Sequence, residues 1–268
     1  MIKGRFRRLF LPIAVMCVCI AIALCGCSLL DSLVGSDSEI NNKVQYLDSV
    51  NNATVGNIVA NNCLGAAVQV YAGNSAGSGF FVTADGYIVT NHHVVSGKTE
   101  CTIRDANGQT VKASLVASDA KRDVALLKAD TEGRDYLYFA SSGSKENIYV
   151  GDTVYIIGNP ADLGIIVGTG IVSNLSVYSG SDDRNYSFNS IIVNASINHG
   201  NSGGPMINAK GAVVGLIYAR FESSSANGAQ NNDIYGLACA VPSTAVMAFL
   251  GEQGVSYATA PPYQAPTE

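Results

Sequence analysis

Ser202 sits in the run Gly200-Asn201-Ser202-Gly203-Gly204-Pro205. Glycines around a serine make a poor strand or helix and a good tight turn, because glycine reaches positive φ without a Cβ clash. Consecutive backbone N–H groups of such a turn can converge on one point and cradle an oxygen that becomes negative there. A serine hydroxyl at that point is a candidate nucleophile for acyl transfer. An ordinary Gly/Ser surface loop has the same composition, so the turn alone does not decide. A hydroxyl nucleophile needs a base. Thr90-Asn91-His92-His93-Val94-Val95 carries two histidines at a strand end, and Asp123 opens the apolar run Val124–Leu127. Singly, each fits a structural or turn residue.

The elements that must position these residues read as short strands. In the first set they are Ala66–Tyr71, Gly77–Val82, Tyr87–Thr90, Cys101–Arg104, Val111–Val116 and Asp123–Lys128. Asp85-Gly86 and Asn107-Gly108 are hairpin signals between them. Residues 131–148 read as a polar connection. A second set follows: Thr153–Gly158, the glycine-broken Ile165–Val177, Ile191–Asn194 leading into the serine turn, Ala212–Tyr218 and Ile234–Val241. Polar loops are expected at 179–187 and 222–232. A helix begins at Pro242-Ser243, with Ser243 as its N-cap and Val246, Met247, Phe249 and Leu250 on its apolar face. Two tandem sets of about six strands suit two small antiparallel barrels or one large sandwich, and periodicity does not choose between them.

Composition bounds the rest. With 47% hydrophobic and 14% charged residues and 28 glycines, the chain favours many short strands in one globular unit or two sharing an interface. Its start is different. Lys3, Arg5, Arg7 and Arg8 precede an apolar run from Leu9 to Cys25, the pattern of a secretion signal. Leu24-Cys25-Gly26-Cys27 resembles a bacterial lipobox, which implies cleavage before Cys27 and lipid on its thiol; an uncleaved anchor is the alternative. Cleavage takes the formal charge from −5 to −9, since four of the 16 basic residues leave and none of the 21 acidic ones do. Such a balance argues against nucleic acid as a partner. Residues 27–60 read as a polar tether with a short helix near Asn42–Val50. Cys63, Cys101 and Cys239 allow at most one disulfide, and the spacing of Cys and His suggests no zinc site.

Taken together, the histidine, aspartate and serine stretches resemble the trypsin-like serine proteases, and more closely the HtrA/Deg family of periplasmic and cell-surface proteases. The matching segments are Gly77–Val82 with Asp85–Val95, Arg122–Lys128, Ile157–Pro160, Ile197–Pro205 and Gly236–Ser243, in the family's order. The resemblance implies an all-β fold of two perpendicular six-stranded antiparallel β-barrels with a short C-terminal helix and an active site in the cleft between them. It implies Ser202 as nucleophile, His93 as general base and then acid, and Asp123 as the group that fixes the His93 tautomer. The family pattern selects Asp123 over its rival Asp119, and His92 and His199 are read as non-catalytic. The backbone of Gly200, Asn201 and Ser202 would form the oxyanion hole, with the N–H groups of Gly200 and Ser202 donating. Ile197, Ala219, Arg220 and Phe221 would line the primary pocket; Arg220 either enters it or snorkels to solvent.

The domain expected from the resemblance spans 61–254, with barrel one at about 61–135, barrel two at about 148–243 and a Pro-rich tail at 255–268. The chain ends at Glu268, too soon after the helix for the PDZ domain usual in the family. The expected function is a membrane-tethered extracytoplasmic serine endopeptidase, without cofactor. It would act on unfolded or specific protein substrates in quality control, with the family's common homotrimer as an assembly. The alternative is a catalytically weak binding or chaperone-like module on the same fold.

Overall fold

The computed structural model describes residues 63–141, 148–178, 186–222 and 233–261. The signal segment, the tether with its helix near Asn42–Val50 and the lipid-bearing Cys27 lie outside the described residues. So do 179–185, 223–232 and the end of the chain from 262.

Of the two architectures that strand periodicity left open, the chain adopts the barrels. In the first, β1 (Ala67–Ala72), β2 (Ser75–Phe81), β3 (Tyr87–Thr90), β4 (Glu100–Asp105), β5 (Thr110–Asp119) and β6 (Val124–Ala129) close in the order β1-β2-β3-β6-β5-β4. In the second, β7 (Thr153–Gly158), β8 (Ile166–Tyr178), β9 (Asn189–Asn194), β10 (Pro205–Ile207), β11 (Val213–Glu222) and β12 (Asp233–Pro242) close as β10-β11-β12-β9-β8-β7. All pairings within both barrels are antiparallel. Gly86 and Gly108 take φ of 98° and 81° at the two predicted hairpins. A one-turn helix, α1 (His92–Val95), follows β3, and α2 (Ser243–Glu252) closes the second barrel.

Side-chain alternation explains the unbroken apolar runs. Along β6, Ala125, Leu127 and Ala129 face the cluster inside barrel one, while Val124 and Leu126 face a cluster shared with barrel two. Both faces of this strand are buried, so no polar alternation is left to read. The shared cluster takes Phe80 and Val89 from barrel one, Ile157, Ile207, Leu216 and Val241 from barrel two, and Val246, Phe249 and Leu250 from α2.

Two expectations need correction. The connection after β6 is not simply polar: Leu137, Tyr138, Phe139 and Ala140 are buried, and Phe139 forms a parallel bridge with Val213. It runs through the seam between the barrels, where burial against two sheets sets its composition. Ser243 is the first helical residue of α2, and Pro242 holds the N-cap position, with no side-chain capping bond. Pro242 still ends β12, and its fixed φ of −59° carries the chain straight into the helix. The pairing that the sequence left open is not used: Cys63, Cys101 and Cys239 are all buried free thiols. Burial pushes the Cys63 thiol up to about 12 and the Cys101 thiol up to about 11, so both stay protonated at neutral pH. Packing also continues past residue 254. Val255 is buried, Tyr257 meets the Phe139 ring edge-on at 5.4 Å, and the Ala258 carbonyl accepts the Phe139 N–H at 2.8 Å.

Candidate active site

Asp123 lies in the tight turn between β5 and β6. Asp119 builds that turn: its carboxylate accepts the backbone N–H groups of Lys121 and Arg122 at 2.7 and 3.1 Å. Its oxygens are thus engaged within the turn and by the Arg122 side chain. Asp123 itself takes φ of 51°, the left-handed region that Asp tolerates better than most residues. Its carbonyl accepts the Asn91 side-chain amide at 2.8 Å, which fixes the strained backbone to the end of β3. The carboxylate is 1% exposed.

That buried carboxylate faces His93. Asp123 Oδ1 accepts the His93 backbone N–H at 3.0 Å, and Oδ2 lies 2.8 Å from His93 Nδ1. A carboxylate only accepts, so Nδ1 carries the proton and Nε2 is left as the basic nitrogen. The imidazole is 39% exposed, open to whatever enters the cleft. A third donor was missed by sequence reasoning: the Tyr186 hydroxyl lies 3.3 Å from Asp123 Oδ2. Tyr186 stacks on Phe188 at 5.1 Å and meets Tyr218 edge-on at 5.3 Å. This aromatic group belongs to barrel two, so the carboxylate of barrel one is buttressed from across the seam. An aromatic residue at the end of a polar loop was the available signal.

His92 points elsewhere: its Nδ1 is buried with no hydrogen-bond partner among the described residues. The His199 side chain is exposed, and its carbonyl accepts the Ala161 N–H at 2.8 Å.

Ser202 reaches the same cleft from barrel two. Its carbonyl accepts the Ser78 N–H of β2 at 2.7 Å. A Cβ built on Gly77 would stand 2.7 Å from a Val94 methyl and 2.9 Å from the Ser202 carbonyl oxygen. Glycine at 77 thus lets the residue after His93 and the serine turn approach each other. The Ser202 hydroxyl donates to the Tyr218 carbonyl at 3.1 Å and makes no hydrogen bond to His93 in this conformer.

The backbone around Ser202 turns two N–H groups away from the protein's own acceptors among the described residues. A trans peptide points its C=O and N–H in opposite directions. The His199 carbonyl is drawn to Ala161, which turns the Gly200 N–H the other way. The Asn201 carbonyl accepts the Gly204 N–H at 3.0 Å, which does the same for the Ser202 N–H. Among the described residues neither of these two N–H groups has an acceptor, whereas the Asn201 N–H is taken by the Asn198 carbonyl at 3.2 Å. Of the three residues named for the cradle, Asn201 therefore contributes a spacer and not a donor. Gly200 takes φ of 99°, and a Cβ there would stand 2.1 Å from the Asn159 carbonyl oxygen.

Ala161 belongs to the 3-10 turn Pro160–Asp162, itself held from barrel one. The Tyr71 hydroxyl of β1 donates to Asp162 Oδ1 at 2.5 Å, and the Asn159 amide donates to the same oxygen at 3.1 Å. These donors hold the Asp162 carboxyl below the usual carboxylate range, while burial and the anionic acceptor push the Tyr71 phenol up.

The residues named for the primary pocket separate. Ile197 is 8% exposed and packs into the interior of barrel two. Ala219 and Arg220 are half-buried on β11, beside register shifts at Ile217/Ala219 and Arg220/Glu222 that re-aim their side chains. The Phe221 side chain lies outside the described residues.

Residues 77–216, more than half of the chain and all three candidate catalytic residues, match the family described as the trypsin-like peptidase domain. A DegP-like periplasmic serine endoprotease of Rhizobium meliloti is 41% identical over 171 residues, covering 63% of this chain and 31% of the relative. One from Bartonella henselae is 40% identical over 167 residues, covering 62% and 31%. The chain thus spans about a third of the length of these curated relatives. The crystal structure of the serine endoprotease from Yersinia pestis superposes with a TM-score of 0.60 at 30% identity, covering 75% of this chain and 66% of that one. The HtrA-type protease AlgW with a tripeptide gives 0.62 at 31%, covering 75% and 65%.

Proposed function

We propose that this chain, which belongs to the trypsin-like peptidase family and to its HtrA/Deg branch, is an extracytoplasmic serine endopeptidase working through Ser202, His93 and Asp123. The observation that carries the assignment is the buried Asp123 carboxylate on His93 Nδ1, at 2.8 Å, across a cleft from a serine turn with two unengaged N–H groups. In the proposed reaction the Ser202 hydroxyl leaves the Tyr218 carbonyl and turns to His93 Nε2. It loses its proton to Nε2 as Oγ attacks the scissile carbonyl. The Gly200 and Ser202 N–H groups take the resulting oxyanion, and Asp123 stabilises the imidazolium. His93 then protonates the leaving amine, and water, deprotonated by His93, hydrolyses the acyl-enzyme.

The periplasmic relatives support a location outside the cytoplasm, and the lipobox-like Leu24–Cys27 supports tethering through Cys27. Unfolded or specific envelope proteins are the substrates in this reading, quality control is the role, and the family's trimer is the assembly. Radiolabelled palmitate incorporated by the full chain and lost in Cys27→Ser tests the tether; sedimentation of the purified protein tests the trimer.

The direct test of the chemistry is labelling by a fluorophosphonate, with cleavage of a peptide library alongside. Wild type is expected to label and cleave, and Ser202→Ala to do neither. The orientation of Ser202 toward Tyr218 favours a second reading, a binding module with weak hydrolysis, and an unlabelled wild type that still binds unfolded protein selects it.

A further inference from the structure

We propose that Ser78 is a positioning residue for the oxyanion cradle, clamping the Gly200–Asn201 peptide through its side-chain hydroxyl; this deepens the peptidase assignment and rests on it. Ser78 lies on β2, in the other barrel from the serine turn, and is 1% exposed. Its Oγ donates to the Gly200 carbonyl at 2.6 Å and accepts the Asn159 N–H at 2.8 Å. Its own N–H donates to the Ser202 carbonyl at 2.7 Å, and its carbonyl accepts the Thr90 hydroxyl at 2.7 Å. Every polar group of this one residue is thus spent on the turn, on the end of β3 just before α1, or on the segment beside the turn.

The geometry makes the hydroxyl a clamp and not a filler. Gly200 has no side chain to limit its torsions, and both cradle donors depend on it. The peptide before Gly200 is held by the Ala161 N–H on the His199 carbonyl. The peptide after it is held by Ser78 Oγ on the Gly200 carbonyl. Together they fix φ and ψ of a residue that lacks a side chain to do so. Because Oγ also accepts from Asn159, two residues before Ala161, the two anchors form one hydrogen-bonded unit. Removing the hydroxyl frees the Gly200 carbonyl to rotate, which moves the Gly200 and Ser202 N–H groups apart without touching the substrate groove.

Ser78→Ala therefore lowers kcat about 10- to 100-fold with KM little changed, the signature of a lost transition-state contact. It weakens a peptidyl trifluoromethyl ketone, which forms an oxyanion on Ser202, by a similar factor. Binding of an uncleaved peptide, compared between Ser202→Ala and the double variant Ser78→Ala/Ser202→Ala, stays the same. A kcat within twofold of wild type overturns the inference, whatever happens to the unfolding midpoint. So does equal weakening of the ketone and the uncleaved peptide, which marks general loosening of the fold. Should the alanine variant fail to fold, Ser78→Cys, near in shape but a weaker donor and acceptor, carries the same comparison. An inactive, unlabelled wild type sinks the peptidase assignment and the clamp with it; an active wild type matched by Ser78→Ala sinks the clamp alone.

Discussion

At the scale of single residues, the candidate site is a set of hydrogen bonds that leave one nitrogen and two amides unspent. The Asp123 carboxylate collects the His93 N–H, the His93 ring and the Tyr186 hydroxyl, so it is held in one orientation. Asp123→Asn removes the acceptor that selects the Nδ1–H tautomer, and kcat should fall by about 10⁴, as in the template triad. Tyr186→Phe leaves the tautomer alone and removes only a bond of 3.3 Å. A milder outcome is expected, a kcat loss of roughly 3- to 10-fold and a stability loss of about 1 kcal/mol, read by steady-state kinetics and urea unfolding. Turn glycines and strand ends marked the triad candidates as open possibilities, and the family resemblance of the three stretches together selected them. Tyr186 was not legible in the sequence, because its partner is 63 positions away and an aromatic at the end of a polar loop does not say which residue it meets.

At the scale of elements, the proposed site rests on close approach between β2, α1 and the serine turn. Gly77→Ala puts a methyl into a Val94 side chain and the Ser202 carbonyl, neither of which can retreat without moving His93 or the nucleophile. Activity is expected to fall at least about 100-fold with a smaller change in unfolding midpoint, checked by kinetics beside thermal melting. The loop carrying Asp123 is also tied to α2, since Arg122 donates to both Glu252 oxygens at 2.7 and 2.6 Å. This pairing holds the Glu252 carboxyl below its usual range. A carboxyl depressed in the folded state contributes stability above its unfolded pKa and loses it as pH falls through the folded one. The melting-temperature difference between wild type and Glu252→Gln should therefore be present at pH 7 and vanish below about pH 4. The pair is exposed, so the effect is small and salt-sensitive.

At the scale of the whole molecule, the two barrels share one core. Phe139, fully buried in the connection between them, packs toward Phe80 of barrel one at 6.1 Å and bridges to Val213 of barrel two. Phe139→Ala is expected to cost about 3–5 kcal/mol and to lower the unfolding midpoint as a single transition, followed by circular dichroism and tyrosine fluorescence together. A second, unshifted transition would mean that the barrels unfold separately. Hairpin glycines, apolar alternation and the serine turn are properties of neighbouring residues, and they determined the strands and the all-β class from sequence alone, while the three candidate catalytic residues came from the order of several such stretches and their family resemblance. Barrel closure, the buried run Leu137–Ala140, the thiol state of the cysteines and the cross-barrel supports of the site were decided only in three dimensions. Tyr186 on Asp123, Ser78 on Gly200 and Tyr71 on Asp162 each join residues 63 to 122 positions apart. Local sequence pattern carries a residue's own backbone preference, whereas these bonds exist only because two closed sheets are pressed together along one seam.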